Sequence, residues 1–283
     1  MVAMEGKTED ILMATVMALK AGSLGRPAGA TLLVYLKEAK YEFLKNLRLR
    51  AYSLSVVMFP VMFYVLFGLV MNSKGAMLGD TRFTTYLIAT YGAFGVMGAS
   101  LFGTASGLAA ERGLGWLQVK RASPMPPPAY FFGKVMMSMI FSFTVVCALL
   151  ILGISLGGVR LSLIEGLRLA STLVAGSIPF CAMGLAIGYF AGPSSAPSSI
   201  NLIYLPMSFL SGLWVPLMFL PKMLRQFAHV LPPYHLAQLA LSTVGAGQHE
   251  SNLVHWEFLI GFTLICLGVA RIGFQRDEGK MYG

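Results

Sequence analysis

Polar residues interrupt this chain so rarely that the lengths of its apolar runs are the first thing to read. A helix that spans a bilayer needs about 20 mostly apolar residues. Five runs reach that length: 52–71, 83–108, 130–154, 167–190 and 200–219. A sixth, 254–272, opens with His255 and Glu257 around Trp256, an amphipathic aromatic suited to the headgroup layer. Near the amino end the pattern changes. Leu32, Leu36, Ala39, Phe43 and Leu47 recur every three or four residues, with Lys37, Lys40, Lys45 and Arg48 on other faces. That predicts a basic amphipathic helix over 31–50, lying on an anionic leaflet and running straight into the first span. The fold class is therefore an all-α integral membrane protein with six transmembrane helices and an amphipathic interface helix.

Composition agrees and excludes other classes. Of 283 residues, 56% are apolar and only 12% charged, about half the roughly 25% usual in soluble chains. The mean hydropathy is +0.71, too little polar surface to coat a water-soluble particle. Disorder and nucleic-acid binding both need bulk charge that this chain lacks. Its net charge of +9 is a matter of location. Eight basic residues precede the first span, four (Arg112, Lys120, Arg121, Lys134) lie in or beside the loop after the second, and three (Arg271, Arg276, Lys280) lie at the end of the sixth or beyond it. These make fifteen on one side against six on the other, which places both termini in the cytoplasm. The expected organisation is a flexible cytoplasmic arm over 1–30, a transmembrane domain over 31–275 and a cytoplasmic tail over 276–283. The apolar run 11–19 follows Glu5, Glu9 and Asp10, not a positive segment, so a cleaved leader is not expected. Cys147, Cys181 and Cys266 all lie inside apolar runs, which argues against a disulfide framework.

Inside the spans, small residues repeat at a spacing of four: Gly95, Ala99, Gly103 and Gly107 in the second, Gly184, Gly188 and Gly192 at the end of the fourth. That spacing stacks them on one face, where another backbone can approach; the alternative is a face that lines a pathway. In the fifth span Pro206, Met207, Phe209 and Leu210 are candidates for the same two roles. Pro60, Pro179 and Pro206 remove backbone hydrogen bonds and permit kinks. Acids and bases are missing from the span interiors, which disfavours a secondary carrier or a pump with its own titratable relay. His249, Glu250, His255 and Glu257 do not make a helical zinc motif, because Leu253 stands where its second histidine belongs. No metal site is expected. An outer-face polar site at His229, His235, His249 and Glu250, in a membrane enzyme or scaffold, is the alternative reading.

The loop between spans two and three carries the densest pattern. Glu111 and Arg112 leave the membrane, Gly113 and Gly115 permit a turn, and Trp116, Leu117 and Val119 follow with Lys120 and Arg121 before Ser123 and Pro124. An exposed Trp and Leu on a short helix suit a partner protein. The stretch resembles the E-R-x-x-G-x-L-x-x-L-x-x-S-P pattern of type-2 ATP-binding-cassette (ABC) exporter permeases, with Lys120 in place of the second Leu. Gly212 to Pro216, then Leu220-Pro221 and Leu231-Pro232-Pro233-Tyr234-His235, are similar to that family's second motif. The likeness extends over residues 30 to 275 and is greatest to the drug- and polyketide-export permeases of the daunorubicin-resistance type.

This resemblance implies a bacterial inner-membrane permease with no catalytic site or cofactor of its own, paired with a second permease copy, identical or not. Separate ATPase subunits would bind ATP and Mg, since no G-x-x-x-x-G-K-[ST] loop occurs here. The 111–123 loop would be the coupling helix, with Glu111, Arg112, Gly113, Trp116, Leu117, Lys120 and Arg121 meeting the ATPase. Residues 219–247 would form re-entrant helices around Pro216, Pro221, Pro232, Pro233, Tyr234 and His235. Spans two and five would face each other across the dimer and line a route for an amphipathic or lipid-like substrate.

Overall fold

The computed structural model describes residues 28–71, 76–78, 81–123, 125–247 and 251–279. The expected arm over 1–30 lies outside the described residues up to 27; residues 28–30 already belong to a helix. This helix, α1 (Ala28–Arg48), stops at Leu49, whose ψ of 81° is non-helical, and α2 (Arg50–Phe63) starts at once. Pro60 lacks the N–H of a regular turn, and beyond it α2 widens into a π-helical stretch, Tyr64–Val70. A two-stranded ribbon, β1 (Met77–Leu78) and β2 (Thr81–Arg82), leads into the next helix.

The long helix α3 (Phe83–Gly113) is the axis of the bundle. All its residues from Thr84 to Leu101 are buried. Its small residues explain how neighbours converge on it. A Cβ on Gly95 would lie 2.5 Å from Val145 and 2.9 Å from Pro60, and one on Gly98 would lie 2.7 Å from the Tyr204 hydroxyl. Ala99 is fully buried, Gly103 faces Tyr52 and Met137, and Gly107 faces Lys134. These small residues of α3 pack closely against side chains of the same chain. Gly184 and Gly188 complete the match from the other side, against Thr104, Ala105 and Leu108. Gly192 lies beyond that helix, in the following turn.

After the short α4 (Trp116–Ala122) come α5 (Pro127–Ser155), α6 (Leu163–Ala175) and α7 (Ser177–Phe190). The fourth expected span is one crossing, Leu163–Phe190, interrupted at the single residue Gly176 between α6 and α7. It begins at Leu163 rather than 167 because Ser162 and Glu165 form a capping box: the Glu165 N–H donates to Ser162 Oγ and the Ser162 N–H to the Glu165 carboxylate at 2.7 Å. It breaks at Gly176 because Pro179, three residues on, has no N–H for the Ala175 carbonyl.

The fifth expected span is corrected more strongly. Helix α8 (Ala196–Leu210) has 15 residues, about 22 Å at 1.5 Å per residue, against a hydrocarbon core of about 30 Å. It ends where Gly212 turns with a φ of +78° and Leu217 packs close to its α-carbon. The apolar run to 219 continues instead as a 3-10 turn, Leu217–Phe219, followed by α9 (Lys222–Ala228) and α10 (Pro232–Thr243). The last helix, α11 (Asn252–Gly279), runs unbroken through the expected tail boundary at 276.

Five helices among the described residues are long and apolar enough to cross a membrane: Arg50–Val70, Phe83–Gly113, Pro128–Ser155, Leu163–Phe190 and Asn252–Asp277. Large apolar side chains such as Leu54, Met58, Ile151, Leu264 and Ile265 cover their outer faces. A surface of that kind belongs in lipid, and the chain is a multi-pass membrane protein. The three cysteines are free thiols.

Candidate functional site

The turn from α3 into α4 is made by Leu114 and by Gly115, whose φ of +74° is the left-handed conformation that glycine adopts without strain. Gly113 lies so close to Pro193 that no side chain fits there. The reversal sorts α4 into two faces. Leu117 is 6% exposed and packs into a small core with Leu108, Tyr130, Leu185, Tyr189 and Ala270. Leu114, Trp116 and Val119 are 73%, 59% and 64% exposed. Leu117, expected to meet a partner, therefore anchors α4 to its own chain, because α4 lies flat on the bundle. Leu114 takes its place in an outward apolar triad. The Arg121 side chain and Pro124 lie outside the described residues.

Behind α4 sits a group of charges that apolar periodicity did not reveal. Lys134, nearly two turns into α5, has no exposed surface. Its ammonium donates to Glu42 Oε1 at 2.5 Å and to Glu111 Oε1 at 3.2 Å. Lys45 donates to both Glu42 oxygens, at 2.7 and 2.8 Å, and also to Glu111. Tyr130 donates its hydroxyl to Glu111 Oε2 at 2.7 Å, and Lys120 of α4 reaches Glu38 at 2.7 Å over the Tyr130 ring. Three carboxylates, Glu38, Glu42 and Glu111, thus meet three ammonium groups, and the cluster is neutral. Buried charges are tolerable in that form, paired and hydrogen-bonded.

The balance of forces is visible at the two α1 members. Burial alone would raise the Glu42 carboxyl; the Lys134 ammonium, with Lys45, outweighs it and Glu111, and holds Glu42 below the usual carboxylate range. Burial alone would lower Lys45; Glu42 and Glu111 reverse that and raise it above an ordinary lysine. Helix α1 accordingly turns Ala39, Glu42 and Asn46 toward the bundle, and Phe43 packs on Phe141. Leu32, Leu36 and Leu47, expected on one face with Ala39 and Phe43, stay exposed.

Arg112 faces the other way. Its Nε and Nη2 donate to Asp277 Oδ1 of α11 at 3.1 and 2.8 Å, and its Nη1 donates to the Gly188 carbonyl at 2.9 Å and toward Ala191 at 3.4 Å. Two adjacent residues at the end of α3 therefore bind opposite halves of the molecule: Glu111 takes α1, α4 and α5, and Arg112 takes α7 and α11.

Deeper in the bundle, α2, α3 and α8 bound a groove of about 670 Å³. Tyr52, Ser55, Ser106 and Asn201 bring polar atoms to it, and Val56, Phe59, Pro60, Phe102 and Leu205 make most of its wall. Of the α8 candidates, Met207 turns into the core, Phe209 is 40% exposed and Pro206 lies within the helix. At the opposite end, Pro216 and Pro221 bracket the 3-10 turn, and Pro232 and Pro233 start α10. Tyr234 is fully buried. His235 Nδ1 lies 2.9 Å from His255 Nδ1, its Nε2 lies 2.9 Å from the His229 carbonyl, and its ring stacks on Phe258. His249 and Glu250 lie outside the described residues.

Two comparisons bear on this arrangement. Residues 38–244 match the family model described as ABC-2 type transporter. The chain is also 25% identical, over 212 residues, to a protein of Bacillus subtilis (strain 168) named "Putative transport permease YvfS", an alignment covering 75% of this chain and 85% of that one.

Proposed function

This chain belongs to the ABC-2 type transporter family, and from that premise we propose that it is the membrane-spanning permease of an ATP-driven exporter powered by a separate ATPase subunit. The family implies an ATP-binding partner and, as a rule, a permease dimer. Both termini would lie in the cytoplasm of a bacterium, on the basic side of the inner membrane. ATP and Mg would be bound by the partner. This chain's part is mechanical: it receives a push and reshapes a path.

The observation that carries the reading is the two-faced α4. Its exposed Leu114, Trp116 and Val119 offer an apolar anchor. Its inner side is bolted to the bundle by Leu117 and by Lys120 in the buried charge cluster. A partner gripping the outer face would move Glu111 and Arg112 through charge-assisted hydrogen bonds, which resist stretching better than neutral ones. Displacement of α3 would then reach the groove it shares with α2 and α8. The mostly apolar wall of that groove, with a few hydroxyl and amide groups, suits an amphipathic or lipid-like substrate. The short α9 and α10, interrupted by prolines, would form the re-entrant outer end of the route. Nucleotide binding would bias the bundle between two packings.

Co-expression with a Walker-A ATPase sought in the neighbouring reading frames tests the reading. The unaltered permease is expected to co-purify with it. Trp116→Ala/Val119→Ala removes two exposed apolar anchors, a loss of about 2–3 kcal/mol, or roughly 30- to 150-fold in affinity. Unchanged co-purification of that double variant would remove α4 as the docking element.

A further inference from the structure

Span packing does not require Asp277. Helix α11 already lies along α7, with Gly273 closely fitted to Tyr189, Phe274 edge-on to the same ring and Ala270 in the core below. One turn past Gly273, the Asp277 carboxylate receives two N–H groups of Arg112 on one oxygen. This contact fixes the guanidinium so that its remaining arm donates to Gly188 and Ala191, at the end of α7. The segment that follows Ala191 leads through Pro193, which packs on Gly113, to Pro197 and Asn201, both in the wall of the groove.

We propose that Asp277 is a positioning residue for coupling: it holds Arg112 in the one orientation that ties the end of α3 to the α7–α8 connection and so to the groove. The inference rests on the export reading above and adds to it that the end of the last helix belongs to the transmission. With Asp277 in place, Arg112 bridges three helix ends, and a shift of α4 moves the base of α8 with it. Without the carboxylate, the guanidinium keeps the Gly188 and Ala191 carbonyls and the face of the Tyr189 ring but loses both of its bonds to α11, so the shift is weakened before the groove.

The test uses the complete permease–ATPase complex, with Cys147, Cys181 and Cys266 replaced and one reporter thiol introduced by Asn201→Cys in the groove. Its labelling rate with a membrane-impermeant maleimide is compared with and without ATP and vanadate, while trapped nucleotide is counted on the ATPase. The parent complex is expected to change its labelling rate at least 5-fold on trapping. Asp277→Asn is expected to trap the same nucleotide but to change less than 2-fold, and Asp277→Glu to restore the response. A full response in Asp277→Asn overturns the proposal and leaves the export reading standing. Loss of the ATPase from Asp277→Asn, or failure of Asp277→Glu to rescue, also overturns it, since either marks a docking or space-filling role. No response in the parent complex overturns the export reading itself, and the proposal with it.

Discussion

Lys134→Met removes the only positive charge of the cluster that is wholly inside the protein, and the cost can be worked from two distances. At an effective dielectric of about 20, Coulomb's law gives ~7 kcal/mol of gross attraction for the 2.5 Å contact with Glu42 and ~5 kcal/mol for the 3.2 Å contact with Glu111. Desolvation of the ions opposes this by several kcal/mol for each, so the net value of the intact cluster is small. Truncation is a different matter, because Glu42 and Glu111, with side chains 2% and 10% exposed, are then left to share Lys45 as their one hydrogen-bonded ammonium. Breaking a buried pair in this way costs about 3–5 kcal/mol. On the scale of about 2–4 °C per kcal/mol for a chain of this size, unfolding falls by roughly 10 °C. The free thiols supply the assay: Cys181 is buried, and a thiol-activated fluorophore reports its exposure as the solubilised protein is heated. The decisive comparison is Glu42→Gln/Lys134→Met. Removing one acid together with the base leaves Glu111 with Lys45, Lys120 and Tyr130, so the double variant should regain about 1–3 kcal/mol over the sum of the single effects. A single variant within about 2 °C of the parent, or strict additivity in the double, would refute the account of the cluster.

Two further outcomes follow from the same structure. Gly95→Ala places a methyl group against Val145, which has one comfortable rotamer in a helix, and against the rigid ring of Pro60. It should destabilise by about 1–3 kcal/mol, whereas Gly166→Ala, with open space around it in α6, should stabilise by about 0.5–1 kcal/mol in the same melt. The pH dependence has a definite sign at each end. The depressed Glu42 contributes stability that is complete above the ordinary carboxylate value, about 4.3, and is lost as the pH falls through its lower folded value. The raised Lys45 contributes stability that is complete below about 10.4 and is lost as the pH climbs through its higher folded value. Glu42→Gln should therefore make the acid limb of the melting profile shallower; an unchanged acid limb in that variant contradicts the assignment.

Apolar run length located the crossing helices well, since lipid leaves a helix little choice but to be apolar for its whole width. It failed at 200–219 because hydropathy does not register a turn: Gly212 and Pro216 end α8 while the side chains around them stay apolar. It places the start of the fourth span four residues late for a related reason, since that start is set by the Ser162–Glu165 cap and not by apolar side chains. The loop over 111–123 was legible because its glycines and Trp116 are local signals. Which face of α4 turns inward was not, since Leu117 and Val119 differ only in their tertiary neighbours.

The buried cluster was the main omission. Its members are spread over four elements and 96 positions from Glu38 to Lys134, so no spacing rule joins them. One signal is present: a lysine within an apolar run demands a partner, and the acids of α1 are candidates to supply it. Arg112 and Asp277 are 165 residues apart and were equally out of reach.

The order of the cluster along the chain has a bearing on biogenesis. Glu42 precedes Lys134 by 92 residues and Glu111 precedes it by 23. At about 5–20 residues per second, the ribosome delivers the lysine roughly 1–5 seconds after the nearer acid and well after the farther one. An ammonium entering a bilayer alone is costly, but this one reaches the membrane only when both of its carboxylates have already been made. Helix α1 thus acts as a waiting receptor for α5, and a chain shortened from the front by as few as 42 residues would present the same lysine to lipid with half of its reception missing.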